Sequence, residues 1–136
     1  MVKPRTRKFK QDYAYRLLKI AKDDLYAAKF LLTAPACRPE TIGYHTQQCV
    51  EKAIKSVLIF LKIEIPMSHD IDSLLERLPD KMIEELPEGA GELTQFATIR
   101  RYVDGEELLE KKDLEAAIQV AEFFINWAGS QLPKVI

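Results

Sequence analysis

Four polar side chains, His45, Gln48, Lys52 and Ser56, recur at three- and four-residue intervals in the stretch GYHTQQCVEKAIKSVLIFL. On a helix they form one stripe along the edge of an apolar face made by Cys49, Ala53, Val57 and Phe60. Such a stripe has two uses. It can satisfy nearby backbone groups and let the lysine stem lie along the core, or it can bring an imidazole, an amide and an ammonium to a ligand. Glu51 and Lys55 fall further round, where the simplest expectation is a solvated face, while Ile54, Leu58 and Leu61 imply that part of the back is covered.

Two more misfits favour a site. Asp24 falls inside the apolar arc of Leu17, Ala21, Ala28 and Leu31, and a carboxylate there needs a donor. The expected donors are His45, Lys52 and two arginines near residue 100. Arg100 itself falls inside the arc of Leu93, Phe96, Ala97 and Val103, with Arg101 at its edge. A seam holding a lysine, two arginines, a histidine and an acid suits a phosphate-bearing ligand. An ion-pair network without a ligand explains the same residues. The sequence has no glycine-rich phosphate loop, no H-E-x-x-H, no nucleophile elbow and no ligand cluster at metal spacing. No catalytic residue, cofactor or metal is therefore expected.

These side chains need helices to hold them. Helical periodicity runs from about Asp12 to Leu32, is broken by the two prolines of TAPACRPE, and resumes from about Thr41 to Lys62. A short helix is expected in DIDSLLERL, with Ser68 or Asp70 as its cap and Pro79 near its end. Two more are expected, over Glu92 to Tyr102 and over Lys112 to Leu132. No segment alternates in the manner of a strand. The fold class expected is all-α, an up-and-down antiparallel four-helix bundle with an additional short helix.

At 136 residues the chain has the size of one domain, read as a single helical domain over 12–136 behind a basic, flexible segment over 1–11. That segment carries Lys3, Arg5, Arg7, Lys8 and Lys10 and reads as a solvated tail. A net charge of −1 gives no global pull toward nucleic acid or membrane, so any polyanion contact must be local. Cys37 and Cys49 lie outside any zinc or redox spacing, and there is no long apolar run, so a cytoplasmic protein with reduced thiols is expected. The last helix has a complete core face in Leu114, Ala117, Ile118, Ala121, Phe124, Ile125, Ala128 and Leu132. Beside it lies a second apolar strip of Ala116, Val120, Phe123 and Trp127, best explained by a twofold-related copy.

Blocks of this sequence resemble the HEPN family, small helical domains named for nucleotide binding in higher eukaryotes and prokaryotes. They are AKDDLYAAKFLL, YHTQQCVEKAIKSVLIFLKIEIP, SHDIDSLLERL and RRYVDG, together spanning roughly Leu17 to Trp127. The resemblance implies a helical bundle, commonly a homodimer, often encoded beside a minimal nucleotidyltransferase as a toxin–antitoxin-like pair. Many members look like metal-independent ribonucleases with an arginine followed a few residues on by a histidine. Here no histidine follows Arg101, since the only two are His45 and His69. The sequence instead resembles the branch with an Arg-Tyr-Pro-Asp-like motif, read as Arg101, Tyr102, Val103 and Asp104, with valine in place of the proline. What this implies is a module that binds a nucleotide, RNA or a nucleotidyltransferase partner through Arg100, Arg101, Tyr102 and Asp104 together with Asp24, His45, Gln48 and Lys52. His69 and Asp70 match the family's His-Asp pair and form a possible secondary site. The alternatives are a ribonuclease toxin using His45 as acid or base near Arg101, and a plain dimeric interaction protein.

Overall fold

A computed structural model describes residues 6–93 and 110–133. In chain order they form β1 (Thr6–Arg7), α1 (Tyr13–Leu32), α2 (Pro39–Phe60), β2 (Ile65–Pro66), α3 (Ile71–Leu75), α4 (Asp80–Ile83), a 3-10 turn (Ala90–Leu93) and α5 (Lys111–Gln131). The fold is all-α, as expected, apart from one two-residue strand pair. The expected helix over Glu92 to Tyr102 lies outside the described residues except for its start, where Leu93 closes the 3-10 turn.

Hydrogen bonds between helices fix their directions. Gln11, just ahead of α1, donates to the Phe60 carbonyl at the end of α2 (2.7 Å), while Asp24 midway along α1 meets His45 and Lys52. α1 and α2 are therefore antiparallel. The Tyr15 hydroxyl donates to the Pro133 carbonyl just beyond α5 (2.7 Å), and Lys29 pairs with Glu122, so α5 is antiparallel to α1 as well. The most extensive interface is α1 with α2, then α2 with α5, then α1 with α5. α3 and the 3-10 turn cover a further side of α2.

Local chemistry explains the helix ends. α2 starts two residues before the expected Thr41 because Pro39 initiates rather than breaks it: Arg38 is held extended (φ −70°, ψ 135°) and Pro39 takes the first helical position, where a missing N–H loses nothing. At the other end the Lys62 N–H bonds the Ile59 carbonyl and the Ile63 N–H bonds the Leu58 carbonyl, both at 2.9 Å, a Schellman closure. This closure puts Lys62 at φ +62°, a left-handed conformation that favours glycine. Lys62→Gly should therefore stabilise the protein by roughly 0.5–1 kcal/mol, read as a higher unfolding midpoint in urea with an unchanged slope. α3 is shorter than DIDSLLERL because the Arg77 and Leu78 N–H groups bond carbonyls three residues back, tightening the chain before Pro79. α5 opens with a reciprocal cap between Glu110 and Asp113.

Two expectations are corrected. The N-terminal segment is not loose throughout: β1 pairs antiparallel with β2 (Thr6 opposite Pro66), the Thr6 hydroxyl donates to Glu64 (2.8 Å), and Phe9 packs on the core. Nor is the second strip of α5 open along its length. Phe123 is 41% exposed and Val120 half-buried, but Trp127 is buried within the protomer, edge-on to Phe124. α5 packs against both α1 and α2, which buries a wider arc than a single neighbour would. The Trp127 indole N–H has no hydrogen-bond partner among the described residues. No helix among the described residues is long and apolar enough to cross a membrane.

Candidate functional site

α2 is enclosed on almost every side. Val50, Ala53, Ile54, Val57 and Leu58 are fully buried, as are the polar Thr46, Gln47 and Ser56, and Glu51 is 2% exposed. Apart from its two ends, where Thr41 and Tyr44 are exposed and Phe60 is half-buried, what remains partly open is an arc of polar residues, His45, Gln48, Lys52 and Lys55. Gln48, Lys52 and Lys55 floor a groove of about 290 Å³ that runs on over Ile59. Phe9, Tyr13 and Leu17 form one wall and the approach to α3, Pro66 to His69, forms the other.

Two carboxylates anchor the floor, Glu51 within the groove lining and Asp24 outside it, each holding one lysine and one imidazole. Asp24, reaching across from α1, accepts from Lys52 Nζ (2.6 Å) and meets His45 Nδ1 (3.1 Å). Glu51 accepts from Lys55 Nζ (2.7 Å), Gln47 Nε2 (2.8 Å) and Gln48 Nε2 (3.2 Å), and meets His69 Nδ1 at 2.7 Å. A carboxylate only accepts, so each imidazole is assigned its proton on Nδ1, leaving Nε2 as the outer nitrogen. Burial pushes the Glu51 carboxyl upward, but the bond and charge of Lys55, with Gln47 and His69, outweigh it and hold the group below its ordinary value. Cys49 is pushed up to about 12 by burial and by the Asp24 charge, against Lys52, so its thiol stays protonated and unreactive.

The structure thus brings Asp24, His45, Gln48 and Lys52 together, and pairs Asp24 with two of the donors expected for it. Ser56 is turned away, its hydroxyl donating to the Ala53 carbonyl (2.7 Å). His69 stands in the groove wall, 81% exposed, while Asp70 occupies the N-cap position of α3, where its carboxylate accepts from the Ser73 hydroxyl (2.8 Å) rather than from a backbone N–H. Arg100, Arg101, Tyr102 and Asp104 lie outside the described residues.

Glu51 and Lys55 are the residues that sequence reasoning misplaces. Both are expected on a solvated face, yet Glu51 is buried and Lys55 is 20% exposed. Two signals point the other way. Glu51 shares a helix face with Ile54 and Leu58, already read as covered, and Glu51–Lys55 has the four-residue spacing of an ion pair. Phe9 and Tyr13 carry no signal, because only the fold places the start of α1 beside the end of α2.

Each ammonium spends one N–H on its acid and keeps the others for a ligand. Among the described residues no group of His, Cys, Asp and Glu side chains is placed to hold a metal ion. The floor can bind an oxyanion by hydrogen bonds, with an apolar surface alongside.

Comparison with known proteins adds three findings. The HEPN domain family profile matches residues 14–131. Over 51 residues the chain is 49% identical to a Methanocaldococcus jannaschii protein named as a candidate toxin. That match covers 38% of this chain and 32% of the relative's length. Among solved structures, an archaeal HEPN homologue superposes with a TM-score of 0.68 at 26% identity, covering 87% of this chain and 96% of the other. A Thermus thermophilus protein superposes with a TM-score of 0.71 at 22% identity over 88% and 98%, a likeness of fold alone.

Proposed function

Because the chain belongs to the HEPN family, we propose that it is the HEPN component of a two-component, toxin–antitoxin-like system and that its groove binds a nucleotide. In this reading it acts as a homodimer beside a minimal nucleotidyltransferase and performs no catalysis of its own. The observation that carries the reading is the pair of half-buried lysines, Lys52 and Lys55, set on acids at the floor of a groove with Gln48 beside them and His69 at its wall. The candidate-toxin name of the M. jannaschii relative supports the two-component setting.

Each residue has a role in this reading. Lys52 holds phosphate, and Asp24 fixes the direction of Lys52 from below. Gln48 and His45 orient the anion, and His69 adds a donor or acceptor from the other wall. Arg100, Arg101, Tyr102 and Asp104 belong to the same site by the family motif, with Arg101 as a second phosphate ligand and Tyr102 as a stacking surface.

Replacing Lys52 and Arg101 together with alanine should abolish nucleotide-induced stabilisation while leaving the far-ultraviolet circular dichroism intact. In the wild type a nucleotide at about 100 times its dissociation constant adds about 2.7 kcal/mol, several degrees in thermal midpoint. A double variant that keeps the full shift would remove both residues from the site.

A further inference from the structure

Phe9 and Ile59 are shared between the groove and a second concavity of about 290 Å³, to which Lys8, Lys10, Gln11, Lys62 and Ile63 are added. Hydrogen bonds bring its walls together. β1 pairs with β2 just ahead of Lys8, the Gln11 amide donates to the Phe60 carbonyl (2.7 Å), and the closure of α2 bonds the Lys62 N–H to the Ile59 carbonyl (2.9 Å). Lysines from two stretches far apart in sequence thus converge on one pocket.

Lys8, Lys10 and Lys62 are exposed, none of them forms an ion pair among the described residues, and no described acid lines the pocket. Glu64, the acid nearest to Lys62 along the chain, instead accepts from the Thr6 hydroxyl (2.8 Å). Lys52 and Lys55, by contrast, each rest on a carboxylate. Three like charges gathered without a partner repel one another, and an anion among them relieves that repulsion.

Backbone conformation singles out Lys62. It is the one non-glycine residue with positive φ among the described residues, at +62°, where glycine is the more stable choice. A lysine there gives up stability, as residues at functional positions do, and its side chain lines the pocket.

We infer that this pocket is a second anion site, separate from the groove, for a linear polyphosphate group, whether free or at the end of a larger molecule. Lys8, Lys10 and Lys62 donate to its phosphate oxygens. Unpaired cations favour an anion with several charges over a single phosphate, because each added phosphate brings more charge to the same partners. The volume, just under the range of small-molecule sites of roughly 300–1,000 Å³, suits a chain of a few phosphates.

Titration calorimetry of the full chain with inorganic tripolyphosphate, pyrophosphate and phosphate, at low salt and without divalent cations, tests this. Tripolyphosphate should bind about tenfold or more tighter than phosphate. Lys62→Gly should weaken it about fivefold or more, the scale of one charged contact, while raising the urea midpoint. Binding lost from a more stable protein is no folding defect. Lys62→Arg should keep the affinity. So should Lys111→Ala, which makes the same change of net charge at the start of α5, the far end of the bundle from the Tyr15–Pro133 contact. In the Lys52→Ala, Arg101→Ala variant tripolyphosphate should bind as in the wild type, and ATP binding tighter or weaker than tripolyphosphate there identifies a nucleotide's phosphates or the free ion as the source. An equal loss in Lys111→Ala would overturn the inference in favour of general charge attraction, and loss in the Lys52→Ala, Arg101→Ala variant would overturn it by placing the ion in the groove. Tripolyphosphate that fails to bind, or binds no tighter than phosphate, would overturn it and leave the nucleotide reading standing. An oligoribonucleotide that binds through Lys62 where tripolyphosphate does not would replace it with an RNA backbone track.

Discussion

Glu51→Ala is expected to destabilise the protein by about 2–4 kcal/mol. The carboxylate is 2% exposed and collects hydrogen bonds from Lys55, Gln47 and Gln48 as well as the His69 ring. Alanine leaves the buried Gln47 amide N–H only its longer bond to the His69 carbonyl (3.3 Å) and leaves Lys55 without its counter-charge. Lys55 can turn partly to water, which keeps the loss below that of a wholly enclosed pair. For a domain of this size the loss corresponds to a drop of roughly 10 °C in thermal midpoint. The acid limb of stability supplies an independent reading. The folded Glu51 carboxyl lies below its ordinary value of 4.5, so its contribution is complete above that value and disappears as pH falls through the lower, folded value. Between about pH 6 and about pH 3 the wild type should therefore lose more stability than Glu51→Gln does. Parallel acid limbs in the two proteins would mean that Glu51 is not held charged by its partners.

The second large effect is expected at Phe124. This ring is fully buried and meets Trp127 edge-on at 5.8 Å and Phe123 at 6.1 Å. Phe124→Ala removes the ring and leaves a cavity between tightly packed helices, at a cost of about 3–5 kcal/mol, much of the roughly 5–15 kcal/mol that a domain typically has. Phe123, one position away, is 41% exposed, and Phe123→Ala should shift the monomer's stability by only about 0.5 kcal/mol. Denaturant unfolding of the two variants side by side checks the contrast. If Phe123 lies in the proposed contact between copies, its loss will grow with protein concentration, because association stabilises only the native state.

How much of this can be read from the chain depends on whether the signal is local. The three long helices are visible because Ala14, Leu17, Ala21 and Ala28, or Leu114, Ala117, Ala121 and Phe124, recur at helical spacing within one segment. Asp24 is visible for the same reason, as an acid in an apolar arc, and its partners follow because few cations lie near the matching edge of α2. Glu51 is not, since its burial depends on α3 and the approach to it lying over one side of α2, which no periodicity within α2 encodes. The strand pair escapes for a related reason. Two residues are too few to alternate, and their partner lies far along the chain, with Thr6 opposite Pro66. Pro39 misleads in the opposite direction, because the same residue that stops a helix from within begins one from its first position.

The enclosure of α2 has a consequence for how the groove can respond to a ligand. A helix with neighbours on nearly every side cannot fray or tilt by itself, so its central amides should exchange with deuterium only through unfolding of the whole protein. Around it, the rim is made of shorter pieces: a two-residue strand pair, the hydroxyl bond from Thr6 to Glu64, and the approach to α3, which is tied to α2 chiefly at its end, where His69 meets Glu51. These amides should exchange by local opening, far faster. On the proposed nucleotide reading, recognition would then work as a fixed base plate under a yielding border, in which the lysines stay put and adjustment to the guest is confined to Phe9, Met67 and their immediate backbone. Protection gained on binding should accordingly appear at the border and be absent from the plate.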